Sequence, residues 1–394
     1  MLHISNRNFK ILNRLVALLI MLLSVFVCVL RSQTITKFAV IGDYGFAGTT
    51  ELDVATEVKS WNPEFIITLG DNNYNNGASS TIDANIGQYY HGYIFPYTGS
   101  YGAGATSNQF FPCLGNHDWN TTGAIPYLNY FTLPGNERYY EFSRGNVHFF
   151  SIDSDPSEPS GTSSTSTQAN WLHTALAAAT ETWKIVYFHH PPYSSGSTHG
   201  STIGMRWPFQ QWGATIVLAG HEHIYERLEE NGFPYIVNGL GGKSLYPLGT
   251  PTAGSLVRYN ADFGAMAVEA SETYILFQFI TRGGVVIDSY MIGNSPTGVH
   301  SDFKNSPLSF SLDQNFPEPF NPQTTIRFSI ASPQFVSLKI FNLLGAEVTS
   351  LVNESTSAGE HSVSWNAENL PSGVYVYRLM AGSQIDSRRM VLLK

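Results

Sequence analysis

The 394-residue chain has little cysteine, little charge and no uninterrupted apolar run of membrane-spanning length. Its two cysteines are Cys28 and Cys113. Cys28 falls in an amino-terminal apolar run, so a processed chain keeps Cys113 alone and has no intrachain disulfide. Cys113 sits in Phe110-Phe111-Pro112-Cys113-Leu114, a setting for a core residue rather than a nucleophile. Charged side chains make up 13% of residues, and the 21 Lys and Arg are outnumbered by 30 Asp and Glu. That deficit excludes the clustered positive charge of a nucleic-acid-binding surface. No Gly-x-Ser-x-Gly element supports a serine hydrolase, and Gly239-Leu240-Gly241-Gly242 does not keep the nucleotide-fold spacing.

The run from Leu15 to Leu30 is broken by Ser24 and falls short of the roughly 20 residues that span a bilayer. Arg7, Lys10 and Arg14 precede it and Arg31-Ser32-Gln33 follow, so residues 1–32 are expected to be an export signal, with an uncleaved anchor as the alternative. Val27 before Cys28 argues against a lipoprotein anchor. Removing the signal takes away four basic and no acidic side chains, which moves the formal charge from −9 to −13. So acidic a chain repels anionic substrates unless bound cations reverse the local field.

What is present is 43% hydrophobic residues and 35 glycines, a globular and turn-rich composition. From Ile35 to about Tyr290, short apolar runs end abruptly in polar clusters: Lys37–Ile41, Phe65–Leu69, Phe110–Leu114, Val147–Ile152, Lys184–Phe188 and Thr215–Ala219. Such runs read as strands buried on both faces. Glu51–Trp61 and Gln168–Ala179 carry apolar residues at helical spacing, and strands alternating with helices predict an α/β layered domain over residues 33–293. Residues 155–167 read as an exposed loop and 294–307 as a linker. Residues 308–394 hold short alternating strands without helical periodicity and predict a small all-β, Ig-like sandwich.

Chemistry gathers where the strands stop. The clusters are Gly42-Asp43-Tyr44-Gly45, Gly70-Asp71-Asn72-Asn73-Tyr74, Gly115-Asn116-His117-Asp118, His189-His190-Pro191-Pro192 and Gly220-His221-Glu222-His223. Carboxyl ends of strands in a layered α/β sheet form the crevice where ligands bind. Asp, Asn and His delivered there by five strands suit a metal site.

This motif set, with Val186 to His189 and the continuation Tyr225-Glu226-Arg227, resembles the calcineurin-like metallophosphoesterases, specifically the purple acid phosphatases. The resemblance implies the metallophosphoesterase fold, a layered β-sandwich flanked by helices. It implies two metal ions bridged by Asp71. Asp43, Tyr74 and His223 would complete a ferric site, and Asn116, His189 and His221 a divalent iron, zinc or manganese site. Hard phenolate and carboxylate donors suit a trivalent ion, and imidazole and amide suit a softer one. Relatives of the wider superfamily place a His where Gly45 stands and lack the tyrosine, so Tyr74 implies a violet tyrosinate-to-iron charge-transfer colour. His117 is expected to project into the same cleft and His199 to match a family histidine near the leaving group, where either could orient phosphate or protonate the departing alkoxide; His190 is expected beside a ligand. The implied activity is that of a secreted acid phosphatase that hydrolyses phosphomonoesters by attack of a metal-activated hydroxide. Alternatives are a phosphodiesterase or nucleotide-cleaving relative and an inactive surface-binding protein.

Leu312–Pro322, Ile340–Gly345, Leu370–Tyr375 and Met390–Lys394 resemble the C-terminal sorting domain of the type IX secretion system. That implies export across both membranes by this machinery, removal of the tail, and release or attachment at the cell surface. The acidic balance and the short apolar run predict no nucleic-acid partner and no stable membrane span.

Overall fold

A computed structural model describes residues 35–294 and 310–394, apart from residues 316, 331–333, 344, 357–358 and 383. The signal expected over residues 1–32, and the linker expected over 294–307 apart from Asn294, lie outside the described residues.

The first part runs β1 (Thr36–Ile41), α1 (Thr49–Ser60), β2 (Phe65–Thr68), β3 (Phe110–Pro112), α2 (Asn116–Trp119), α3 (Ile125–Tyr130), β4 (Tyr140–Arg144), β5 (Val147–Ser151) and α4 (Thr167–Ala178). It continues β6 (Trp183–Tyr187), β7 (Ile216–Ala219), β8 (Tyr225–Glu230), β9 (Phe233–Asn238), β10 (Ser255–Tyr259), β11 (Gly264–Ala270), β12 (Tyr274–Thr281) and β13 (Val286–Gly293). Two sheets result, ordered β13-β12-β11-β1-β2-β3 and β10-β8-β9-β7-β6-β5-β4. Phe38 on β1 and Phe65 on β2 meet Phe149 on β5 edge-on, at 5.1 and 5.3 Å between ring centroids, so the sheets share one core face to face.

β1, β2 and β3 are parallel in one sheet, and β5, β6, β7 and β9 in the other. Their apolar runs have no polar face because both faces are covered, β2 and β7 being buried along their full length. Helix α4 covers the outer face of the second sheet. Ser166 caps it by accepting from the Ala169 N–H at 3.2 Å, and Leu172 and Leu176 pack among Val186, Phe188 and Val217. Burying each leucine contributes about 1.5–3 kcal/mol.

Residues 155–166 form the expected loop, with Thr167 opening α4, but not a freely solvated one. Asp155 and Glu158 are buried, Arg138 Nε donates to Glu158 Oε2 at 2.8 Å, and Trp207 Nε1 donates to the Thr162 carbonyl at 3.1 Å. Its polar composition hides that pinning, because the partners lie 20 and 45 residues away along the chain.

The tail runs β14 (Ser311–Leu312), β15 (Gln323–Ile330), β16 (Gln334–Asn342), β17 (Glu347–Thr356), β18 (Gly359–Asn366), β19 (Gly373–Ala381) and β20 (Gln384–Leu392). These strands form antiparallel sheets ordered β14-β15-β18 and β17-β16-β19-β20. Val336, Leu338, Ile340, Trp365, Tyr377 and Leu379 fill a separate core. No helix among the described residues is long and apolar enough to cross a membrane.

Candidate metal centre

Each polar cluster follows a parallel strand: β1 precedes Asp43, β2 precedes Asp71 and Tyr74, β3 precedes Asn116, β6 precedes His189, and β7 precedes His221 and His223. The four turns that carry a glycine before the donor are packed too closely for a side chain there. A Cβ on Gly115 would lie 2.2 Å from the Asp71 nitrogen, and one on Gly220 would lie 2.6 Å from Asp43 Oδ2. Asp43, Asp71 and His221 hold φ of 56°, 53° and 70°, a left-handed backbone that is costly for residues with a Cβ. Strain at three neighbouring polar turns marks a site rather than a scaffold.

The donor atoms fall into two groups. In the first, the Tyr74 hydroxyl lies 2.9 Å from Asp43 Oδ1 and 3.1 Å from His223 Nε2, which is 3.3 Å from Asp43 Oδ1. In the second, His189 Nε2 lies 3.0 Å from Asn116 Oδ1, 3.1 Å from His221 Nδ1 and 3.4 Å from Asp71 Oδ2. Ligand atoms of Asp43, Asp71 and His189 all lie within 4.8 Å of one another, so the two groups adjoin. The structure thus brings together all seven residues expected to bind metal.

Neighbours orient these rings. His189 Nδ1 bonds the Leu69 carbonyl at 2.8 Å, and His223 Nδ1 pairs with Ser244 Oγ at 2.7 Å, which turns both Nε2 atoms inward. Histidines that bind metal use the outer nitrogen in this way. Burial works to raise the Asp71 carboxyl, but the His189 charge and hydrogen bond hold it well below the usual carboxylate range. Burial likewise opposes charge on His189, yet Asp71 and Asp43 lift it to about 10. A field that holds a proton on a buried imidazole also attracts a cation to the same nitrogen. Burial and the Asp43 and Asp71 carboxylates push the Tyr74 phenol well above its ordinary value, so ionising it requires a strong positive charge beside its oxygen. Donor chemistry and orientation both fit a cation pair.

His117 is half-buried, with its ring tilted against Tyr74 at 4.4 Å and Nε2 3.9 Å from Asp71 Oδ2. His199 is exposed on the loop after β6 and stacks on His221 at 4.2 Å. A nitrogen of His190 comes within 4.8 Å of those of His189 and His221, while its Nδ1 bonds Ser154 Oγ at 2.9 Å. Burial and the His189 charge push His190 down to about 3.

Sequence reasoning missed several residues that hold this arrangement. Asn72 and Asp118 link the second and third turns: Asn72 Nδ2 donates to Asp118 Oδ2 at 2.8 Å, and Asp118 Oδ2 also accepts the Gly115 N–H at 2.9 Å. Burial and the Asp71 charge raise Asp118 to about 7. Ser244 and Tyr246 come from the loop after β9, where the Tyr246 ring stacks flat on His223 at 4.0 Å. The same signal could have found that loop, because β9 is an apolar run ending in Asn238-Gly239.

Gly45 has a measurable consequence. A Cβ there would lie 1.8 Å from the Asn72 carbonyl oxygen, and the Gly45 carbonyl accepts from the Tyr74 N–H at 2.7 Å. Gly45→Ala is expected to lower stability by about 3 kcal/mol, seen as a melting temperature several degrees lower. An unchanged melting curve would contradict this packing.

Comparison with known proteins agrees with the geometry. Residues 36–225 match the family of the calcineurin-like phosphoesterases, and residues 314–393 match the secretion system C-terminal sorting domain. Human tartrate-resistant acid phosphatase type 5 is 26% identical over 241 residues, covering 52% of this chain and 72% of that protein. The solved purple acid phosphatase PPD1 from yellow lupin aligns with a TM-score of 0.54 at 19% identity, over 66% of this chain and 54% of its own. GAP50, described as the anchor in the inner membrane complex of Plasmodium, aligns with a TM-score of 0.52 at 19% identity, over 66% of this chain and 90% of its own. Fold is therefore shared between a phosphatase and an anchor, and the donor set must carry the functional argument.

Proposed function

Taking the chain as a calcineurin-like, metal-dependent phosphoester hydrolase that carries a secretion sorting domain, we propose that it is an exported acid phosphatase acting on phosphomonoesters. One observation carries this reading: the donors divide into an Asp43–Tyr74–His223 set and an Asn116–His189–His221 set, with Asp71 between them. The first set, with its phenol and carboxylate, would hold Fe(III), and the second would hold Fe(II), zinc or manganese. When bound, the ion pair supplies Lewis acidity and a water acidic enough to attack phosphorus.

The chain's own residues do the rest. His117, tilted against Tyr74, orients the phosphate, and His199, stacked on His221, passes a proton to the departing alkoxide. Glu222 and Glu226 are sealed in the interior, away from an incoming anion. Residues 1–32 and 308–394 would direct export through the type IX machinery, releasing the enzyme or leaving it at the cell surface. The catalytic domain then spans residues 33–293.

The test is hydrolysis of a chromogenic monoester and a diester across pH, with metal content measured alongside. Monoester preference with an acidic optimum is expected, and His117→Ala should lower kcat by about 10²-fold. Diester preference would indicate a phosphodiesterase. A protein without stoichiometric metal would indicate a binding role.

A further inference from the structure

Glu222 stands between His221 and His223, yet its carboxyl is fully buried and bonds the loop after β6. Its Oε1 accepts two backbone hydrogen bonds, from the N–H groups of His199 and Gly200. Gly196, in the same loop, lies against the carboxyl group: a Cβ there would stand 2.2 Å from Glu222 Cδ and 2.3 Å from Oε2. Four residues on, Glu226 fastens the root of the loop. Its Oε2 accepts the Ser195 N–H at 2.6 Å, and its Oε1 accepts from Ser255 Oγ at 2.6 Å and from the Ser195 hydroxyl.

Ser197, Thr198 and His199 are exposed, so the tip of this loop has little packing of its own to order it. The His199 ring is nevertheless stacked on His221. Two amides converging on one buried oxygen fix the backbone on both sides of the His199 Cα, beyond the point where the Ser197 N–H and hydroxyl reach the Pro247 carbonyl.

We propose that Glu222 is a positioning residue that seats His199 over the leaving-group side of the centre. The proposal rests on the phosphatase reading and gives the site its sensitivity to the leaving group. An alkoxide leaves poorly without a proton, whereas a nitrophenolate leaves without one. Losing the seat should therefore penalise alkyl phosphates selectively.

The experiment compares an alkyl monoester with a nitrophenyl monoester in the full chain. Glu222→Leu keeps bulk but removes both acceptors. It should lower kcat/KM for the alkyl ester by about 10–100-fold and for the nitrophenyl ester by less than about threefold, with wild-type metal content. Glu222→Gln keeps a carbonyl oxygen in place and should recover to within about threefold of wild type. His199→Ala should show the same selectivity, and Glu222→Leu combined with it should be no worse than His199→Ala alone. If Glu222→Leu fails to fold, Gly196→Ala presses on the same contact from the loop side and should reproduce the alkyl-selective loss.

Equal losses on both esters, or Gln as damaging as Leu, would overturn the proposal and assign Glu222 an effect on the metals through its charge. A selective His199→Ala variant beside a wild-type-like Glu222→Leu would overturn the clamp and leave the phosphatase reading standing. Failure of the wild-type chain to hydrolyse any monoester would end both.

Discussion

Asp71→Asn is expected to leave a folded chain that hydrolyses phosphate esters about 10³-fold more slowly, a loss of ~4 kcal/mol in transition-state stabilisation, with less than the full metal complement. Asparagine tolerates the left-handed backbone at this position, and its oxygen can keep the 2.8 Å bond to the His117 N–H. The carboxylate charge between the two donor groups is lost. Asp71 Oδ2 lies 3.4 Å from His189 Nε2, and that charge is a main cause of the raised basicity of His189. Without it, the second group keeps only neutral donors. Kinetics and metal content of the purified variant check the prediction. Full metal loading with activity within tenfold of wild type would show that Asp71 does not join the two groups.

Tyr74→Phe is expected to abolish the visible band that the proposed ferric site would give, while changing packing little, because the ring keeps its contacts with His117 and Lys243. Its hydroxyl lies against Asp43 and His223, where carboxylate charge and burial hold it neutral. A tyrosinate band can therefore arise only if a strongly charged cation sits at that oxygen. Activity is expected to fall by about tenfold, since one hard donor of the first group is lost. Absorption spectra of wild type and variant at matched iron content give the answer. A band that survives in Tyr74→Phe belongs to another chromophore.

Much of this architecture could be read from the chain. The apolar runs at 37–41, 65–69, 110–114, 147–152, 184–188 and 215–219 each coincide with a strand, because buried parallel strands need no polar face. Helices expected at 51–61 and 168–179 appear at Thr49–Ser60 and Thr167–Ala178. Strand β17 went unread because it lies on a sheet edge, where half of its side chains are exposed and none is fully buried, which erases the alternation. Strands β10 to β13 were also passed over, although they extend the two sheets beyond the parallel core.

The donor residues were legible because each sits next to a strand end, so local sequence carries most of the information. Their supports were not. Glu222 binds the chain 22 and 23 residues away, Asp118 meets Asn72 46 residues back, and Ser244 reaches His223 from a loop 21 residues on. Contacts of that kind depend on which turns face each other, and strand order decides that. Within Gly220-His221-Glu222-His223 the glutamate looked like a spacer, and only the direction of its side chain shows that it holds another loop.

The account turns on a shared cation pair, and metal content per chain tests it most directly. Protein purified without added metal should carry two ions per molecule, at least one of them iron. A chain that refuses both ions, while still folded and monodisperse, would contradict it.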